Sequence, residues 1–460
     1  MKSRSYLYGG LATTLNIILN ALTFKNFLWL EGRVRGGRFR NWARNFVYQP
    51  TNFVQPTTEQ EIVNLVKSSA KIRLVGSGHS FNAGVVSDAT LVSLDKYVGL
   101  IKQEGNLFTV KGGTRMRDVV AILLENGFAF EALPSHDAQS IAGILSTNVH
   151  GTGKYWDFVG EMVERLKIID GKGEIHECVP ADDLFRAAIG GIGAVGIISE
   201  VTVRTVPKFN VEQKFELVDC DIVRKNLDAM LEDNLHLSLY IFPFATVCQV
   251  SIWNPTSKDK SYLNKLREWI AISFDALSAA WFGNLMAYTG FLPWSNWTYG
   301  IKRGTNLVME SNEAFNRSIY HLHQELEFTV PYKDTWETCD RFIKLYEKMY
   351  TQKLPYALLE VRFTPAGHDK TLIGAGRERH STWIDLICND SHGFEKYYAA
   401  AEEIIKEIGA HPHLGKYCEK LDKNHLLQVH AVNFERFLEL MHEHDPQDKF
   451  ANEFTQRLFR

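Results

Sequence analysis

Glu360 and Arg362 stand two residues apart in Leu358-Leu359-Glu360-Val361-Arg362-Phe363, a run that is otherwise apolar. A strand here turns both charges to one face and Leu359, Val361 and Phe363 to the other. A carboxylate beside a guanidinium on such a strand suits a polar pocket, and equally a surface ion pair. Spacing leaves both open. Downstream, His411-Pro412-His413-Leu414-Gly415-Lys416 sets a lysine after a constrained turn. His411 and His413 are close in sequence and lack acidic or thiol neighbours there, so no metal site is expected.

Glycine supplies a second set of signals. Gly76-Ser77-Gly78-His79-Ser80 closes a short β-like run, and the exposed amides of such a turn can hold phosphate oxygens. The turn lacks the third glycine, the helix and the distant acid of a dinucleotide fingerprint, and no phosphate-loop lysine follows. Small and hydroxyl residues recur from Pro134 to His150-Gly151-Thr152-Gly153, and again in Gly190-Gly191-Ile192-Gly193-Ala194-Val195-Gly196. Three such stretches in one region permit close backbone approach to a large flat ligand.

The elements that must position these groups can be read from periodicity. Thr57–Ala70 carries a capping threonine, early acids and helically spaced apolar residues. Residues 71–76 read as a strand, 116–126 as a helix, and 163–178 as two strands split by Asp170-Gly171-Lys172-Gly173, a hairpin signal. Residues 181–207 read as a helix, a glycine-rich turn and a strand closed by Pro207. From 208 onward, alternating runs such as Val247–Asn254 and Tyr356–Pro365 mix with longer helices at 334–350 and 394–409. The expected fold class is therefore α+β, in two bodies: a mixed domain over 41–207 and an antiparallel sheet with covering helices over 208–410. An extension precedes them at 1–40, and a helical segment over 411–460 returns to the first body.

Composition narrows the partners. A chain of 460 residues, 45% hydrophobic and 23% charged, can bury a large core, and a net charge of -3 gives no pull toward nucleic acid. Six cysteines without CxxC pairs read as reduced thiols. Residues 6–24 are apolar and of bilayer-spanning length, but include Asn16 and Asn20. Lys2 and Arg4 precede them, and Arg33, Arg35, Arg38, Arg40 and Arg44 follow. A packed helix, a membrane anchor or interfacial helix, and a cleaved signal all fit. The charge bias keeps the main body cytoplasmic, with residues 5–30 as a candidate membrane contact. Residues 268–293, aromatic and apolar, could cap a core or touch a membrane.

In order, GSGHS, PSxxxQSIAG…HGTG, GGIGAVGIISEVT, E-x-R and HPHxGK resemble the vanillyl-alcohol-oxidase flavoprotein superfamily. The resemblance is nearest to its aldonolactone and alditol oxidase branch. It runs from Asn41-Trp42 to the C-terminus, is weak between 210 and 330, and is absent over 1–40. It implies an FAD-binding domain and a substrate-side cap domain. On it, Val75, Gly76, Ser77, Gly78, His79, Ser80 and Asn82 meet the FAD diphosphate side. Pro134, Ser135, Ser140, Gly143, Ser146, His150, Gly151, Gly193 and Ile198 line the rest of the cofactor. His79 inherits the covalent bond to the flavin 8α-methyl. Glu360 accepts hydrogen bonds from substrate hydroxyls, and Arg362 holds the reacting oxygen. Lys416 lies by flavin N1 and the C2 oxygen, and Ser135 touches substrate, with His136 a further candidate. Leu414 replaces the branch's usual tryptophan, which bears on pocket shape. Pro134 leans toward O2 as acceptor. The implied reaction is oxidation of a carbinol in an aldonolactone, such as arabinono- or gulono-1,4-lactone, or in an alditol, giving H2O2. A dehydrogenase using another acceptor is an alternative. So is an enzyme like the decaprenylphosphoryl-ribose oxidases, acting on a lipid-linked sugar. No oligomeric state is legible.

Overall fold

A computed structural model describes residues 2–23, 33–34, 37–155, 159–295, 305–315, 321–366, 370–376, 380–389 and 392–460. The helix Glu59–Ser68 starts where the sequence places it. Thr58 caps it by accepting from the Glu61 amide, and the Glu61 carboxylate accepts in return from the Thr57 amide at 2.7 Å. Ile62, Val63 and Val66 pack against Ile72 and Val92 of a three-stranded parallel sheet. The next sheet is antiparallel, ordered Ile175–Cys178, Val163–Ile169, Ile197–Arg204, Leu107–Lys111, Leu100–Glu104. The Asp170–Gly173 hairpin and the helix Met116–Glu125 lie where periodicity puts them.

The second half is built on an eight-stranded antiparallel sheet. Its order is Thr305–Glu310, Asn210–Asp219, Val247–Thr256, His236–Ile241, Ala357–Thr364, Ser381–Cys388, Gln324–Pro331, His411–Pro412. One face carries Leu239, Leu359, Val361, Phe363, Ile384, Leu386 and Phe328, buried beneath the helices Thr335–Met349 and Glu395–Ile408. Phe342, Tyr346, Tyr397 and Tyr398 fill that interface. Each such side chain contributes about 1.5–3 kcal/mol of burial, so this face fixes the register of the sheet. Register then dictates the other face, which looks toward the glycine-rich loops. The fold is α+β, with an FAD-binding-type body and an antiparallel-sheet body.

The C-terminal residues clasp the first body. Lys449 donates to the Val66 carbonyl at 2.8 Å, and the Asn452 amide donates to the Ala83 carbonyl at 2.9 Å. The capped helix Glu453–Phe459 buries Phe454, Leu458 and Phe459 in the same core. At the other end, the helix Lys2–Thr23 lies along Tyr262–Leu277. Gly10 is required there, since a Cβ would lie 2.4 Å from the Trp281 ring, and Trp281 Nε1 donates to Thr14 Oγ1 at 3.2 Å. Ile17 is buried against Trp269 and Ala276. Part of the apolar N-terminal run is thus packed, as one of the three readings has it; residues 24–32, which take in the end of that run and of the 5–30 candidate membrane contact, lie outside the described ones. Leu266–Thr289 is long and apolar enough, by length and composition, to cross a membrane.

Candidate active site

Antiparallel register assembles the charged residues. Tyr240, Glu360, Asp385 and Glu327 face one another directly across four adjacent strands, all on the face away from the covering helices. Three carboxylates in a row repel unless cations intervene. Arg362 supplies one cation: its Nε and Nη2 donate to Glu360 at 3.2 and 2.9 Å, and Nη1 lies 4.0 Å from Glu327. The Tyr240 hydroxyl donates to Glu360 at 2.7 Å and fixes the carboxylate from the far side. Glu360 and Arg362 therefore form a buried fork, and the surface-pair reading is excluded.

Lys416 supplies the other cation. Its ammonium lies 3.1 Å from Asp385, 3.4 Å from Glu327, and in close contact with Glu325. The turn carrying it is tied at three points. The His413 amide donates to the Glu327 carbonyl, and the Phe81 amide to the Gly415 carbonyl at 3.0 Å. Asn82 Nδ2 donates to the Leu414 and Lys416 carbonyls at 2.6 and 2.8 Å. A Cβ on Gly415 would lie 2.8 Å from the His413 ring, so the turn needs glycine. Asn82 thus acts as a strut between the glycine loop and the lysine turn.

His79 lies opposite this array. Gly78 precedes it at φ +67°, and the Trp42 amide donates to the Gly78 carbonyl at 2.7 Å. The Trp42 ring stacks on the His79 imidazole at 5.0 Å, and His136 meets it edge-on at 4.1 Å. Sequence reasoning assigns no role to Trp42, at the start of the resemblance, or to Gln139, inside its PSxxxQSIAG motif.

These groups line three adjoining cavities that share wall residues, together termed the cleft. Its first part runs along Val75–Ser80, Ser140, Gly143, Ser146, Gly193 and Ile198. It joins, at His79, Ser80, Gln139 and Thr147, a second part containing Pro134, Ser135, His150, Arg362 and Lys416. A third part, sharing Ser135 and Arg362, holds Gly151, Glu360, Ser238 and Trp253. The residue types fit an extended dinucleotide. A Cβ on Gly76 would lie 2.7 Å from Ser140 Oγ, and one on Gly143 2.9 Å from the same atom, so either side chain would push this hydroxyl aside.

Electrostatics divide the cleft. Burial presses the His79 imidazole well below its ordinary pKa, helped by the nearby His136 and Arg115. Burial holds His136 down to about 3, and His413 to about 3 against the pull of Glu327. Burial outweighs Glu327 at His150 too, lowering its pKa. These imidazoles are neutral at pH 7. Burial pushes the Glu325 and Glu327 carboxyls up, yet Lys416 and their neighbouring histidines hold both below the carboxylate range. Burial and the Glu325 charge raise Asp385, so it keeps its proton. Burial opposes the charged form of Lys416, but Asp385, Glu325 and Glu327 raise its pKa.

One consequence concerns acid stability. A histidine whose folded pKa is depressed takes up its proton in the unfolded chain from about pH 6.5 downward, which lowers stability as pH falls. Each such histidine costs up to about 1.4 kcal/mol per pH unit below 6.5, down to its folded pKa. Asp385, with a raised pKa, offsets one of the four. The FAD-loaded protein is therefore expected to lose several degrees of Tm between pH 7 and pH 5.5, in thermal melts followed by circular dichroism. A flat Tm across that interval would contradict the neutral assignment.

The metal expectation needs one correction. His413 does have an acidic neighbour in space: Glu327 approaches His413 at 4.0 Å and His150 at 3.0 Å. Lys416 and Arg362 already flank that carboxylate, so the trio is an ion-pair network with two cations in place. The His150 ring also stacks on Trp383 at 3.6 Å.

Residues 201–458 match the model of the D-arabinono-1,4-lactone oxidase family, and residues 50–179 that of an FAD binding domain. The L-gulono-1,4-lactone dehydrogenase of Mycobacterium tuberculosis is 25% identical over 432 residues, covering 91% of this chain and 98% of its own. The L-gulonolactone oxidase of Bos taurus is 24% identical, covering 92% and 99%. The D-arabinono-1,4-lactone oxidase of Candida glabrata is 31% identical over 51% of this chain and 47% of its own. Among solved structures, cholesterol oxidase of B. sterolicum superposes with a TM-score of 0.73 at 14% identity, over 92% of this chain and 97% of its own, which shows a shared fold. With the cleft, the neutral histidine and both matches in hand, the chain belongs to the D-arabinono-1,4-lactone oxidase family and is an FAD-dependent oxidoreductase.

Proposed function

We propose that this protein oxidises a carbinol of an aldono-1,4-lactone, with alditols as the second substrate class, and passes the electrons to O2. The observation that carries this is the Arg362–Glu360 fork beside Lys416, at the end of the cleft reached past His79. Bound FAD supplies the hydride acceptor at N5 and, on reoxidation by O2, yields H2O2. The chain's own groups do the rest. Arg362 holds the reacting oxygen, and Glu360, oriented by Tyr240, accepts from substrate hydroxyls. Lys416 would set positive charge beside flavin N1 and the C2 oxygen, where negative charge gathers on reduction, and would assist loss of the carbinol's hydroxyl proton as the hydride leaves. Ser135 contacts substrate, and Val75–Ser80 with Ser140, Gly143, Ser146, Gly193 and Ile198 hold the cofactor; Pro134, His150 and Gly151 complete its wall.

On this reading residues 41–207 carry the cofactor, 208–410 the substrate side, and 411–460 return Lys416 to the flavin. Glu325, Glu327 and Glu360 stand against two cations, so the pocket favours an uncharged substrate over an anionic one. That disfavours a phosphate-linked sugar. The main body is cytoplasmic, and the N-terminal segment touches the membrane.

His79 is proposed to carry the flavin 8α-methyl. A neutral imidazole at the junction of the two cavities, steadied by Trp42, retains the lone pair that such a bond requires. The protein should stay yellow after acid precipitation and fluoresce in a denaturing gel, and His79→Ala should lose all gel fluorescence. Fluorescence persisting in that variant would refute the linkage. The acceptor is tested by air: lactone-reduced enzyme should recolour within seconds of mixing with O2 and release peroxide. The mycobacterial relative, named a dehydrogenase, favours a different acceptor, and slow recolouring would support it.

A further inference from the structure

The third cavity, beyond Arg362, holds two polar groups that the chemistry above does not use. Gln213 and Ser238 are only 3% and 1% exposed, yet Gln213 Oε1 and Ser238 Oγ have no hydrogen-bond partner in the protein. Buried polar atoms are nearly always paired, so two orphans lining one cavity call for a ligand that completes them. Register puts both on the face that carries the fork. Ser238 faces Arg362 directly across one strand pair and Ser251 across the other. Trp253, two residues on from Ser251, faces Gln213 on the next strand. The charged row of the active site thus continues, over Val247–Thr256 and Asn210–Asp219, as an uncharged row of Ser238, Ser251, Trp253 and Gln213.

The Gln213 amide is held at one end. Its Nε2 donates to the Ala314 carbonyl at 3.4 Å, the oxygen that also accepts from Trp253 Nε1 at 3.2 Å. That leaves Oε1 to the cavity. The short helix Ser311–Phe315, which brings Ala314 and Phe315 to the wall, is anchored by Glu310. This carboxylate accepts from Ser311 Oγ at 2.8 Å and from Asn312 Nδ2 at 2.9 Å. Size limits the ligand. The cavity volume is about 40 Å³, against the roughly 10–15 Å³ that one water needs on the same measure, so it takes about three heavy atoms rather than a ring. Apart from Glu360 and Arg362, which pair with each other, its lining is uncharged.

We infer that this cavity is the distal subsite of the substrate pocket and takes the exocyclic hydroxylated tail of the sugar, with Gln213 and Ser238 as specificity-determining residues. Gln213 Oε1 accepts from the tail hydroxyl, Ser238 Oγ bonds the same group from the Arg362 side, and the Trp253 and Phe315 rings cover its C–H face. A substrate without the tail leaves both polar atoms buried and unpaired, which is how a site built for a hydroxyl rejects an analogue lacking it. All four residues lie between 210 and 330, where the resemblance is weak, so no motif marks them. The inference rests on the proposed lactone oxidation and adds where the far end of the substrate lies.

The test compares second-order rates of anaerobic flavin bleaching in the FAD-loaded protein. One substrate is arabinono-1,4-lactone; the other is the threono-1,4-lactone of the same C2 and C3 configuration, which lacks only the exocyclic hydroxymethyl. The parent protein should favour the tailed lactone at least tenfold. Ser238→Ala should cut that preference about threefold, and Gln213→Leu should abolish it. Because the readout is a ratio, loss of folded or flavin-loaded protein lowers both rates and leaves it unmoved. A parent-like preference in both variants, or no preference in the parent, would overturn the subsite. Bleaching by neither lactone would refute the lactone reading instead, and the subsite would then stand or fall by the same ratio between xylitol and glycerol.

Discussion

Replacing Lys416 with methionine is expected to slow anaerobic flavin reduction about 10²–10³-fold, the cost of removing one preorganised charge-stabilising donor. The effect extends to stability. Lys416 is the cation shared by Glu325, Glu327 and Asp385, the last two buried and Glu325 nearly so. Its loss leaves Glu325 and Glu327, two charges on one strand, without their shared cation, and breaking a buried ion pair of this kind costs about 3–5 kcal/mol. Lys416→Arg restores the charge and should recover most of the stability, though not the rate, because the longer fork displaces the ammonium position. Stopped-flow reduction and thermal melts on the three proteins separate the two effects. Parent-like reduction in Lys416→Met would remove the lysine from the chemistry.

The second large effect concerns Arg362. Arg362→Lys keeps a positive charge but cannot make the two-pronged contact to Glu360, since an ammonium is a point donor. Its kcat/KM for a lactone is expected to fall about 10²-fold. Because the contact to the reacting oxygen strengthens as hydride leaves, kcat should fall with kcat/KM. A rise in KM alone would reduce Arg362 to a binding group. Tyr240→Phe probes the support behind the pair. It removes the donor that orients Glu360, and a smaller loss, about tenfold, is expected in steady-state assays.

The legible part of this site was the part encoded locally. Alternation on one strand placed Glu360 and Arg362 together, and their partner faces, Leu359, Val361 and Phe363, lie in the core as period-two spacing requires. Thr58 and the 163–178 hairpin were equally local. The ion-pair role of Glu325, Glu327 and Asp385 was not legible, because the two glutamates share one strand but meet Asp385, Glu360 and Lys416 only through antiparallel register and the lysine turn. A signal existed in Thr382-Trp383-Ile384-Asp385-Leu386, a lone acid in a buried run that demands a partner. For the same reason His413 seemed to lack an acidic neighbour until Glu327 arrived from the adjacent strand. The N-terminal helix shows the limit of composition. Its apolar residues divide between a packed face and an open one, and hydropathy averages over both.

The central claim is that the Glu360, Arg362 and Lys416 array, facing His79 across the cleft, oxidises a neutral lactone. The most direct measurement is anaerobic bleaching of the oxidised flavin band with arabinono- and gulono-1,4-lactone, their hydrolysed aldonates, and alditols. Rapid, complete bleaching by a lactone, and none by the matching aldonate, is the predicted result. Bleaching by the aldonate as fast as by the lactone, or by no lactone at all, would contradict it.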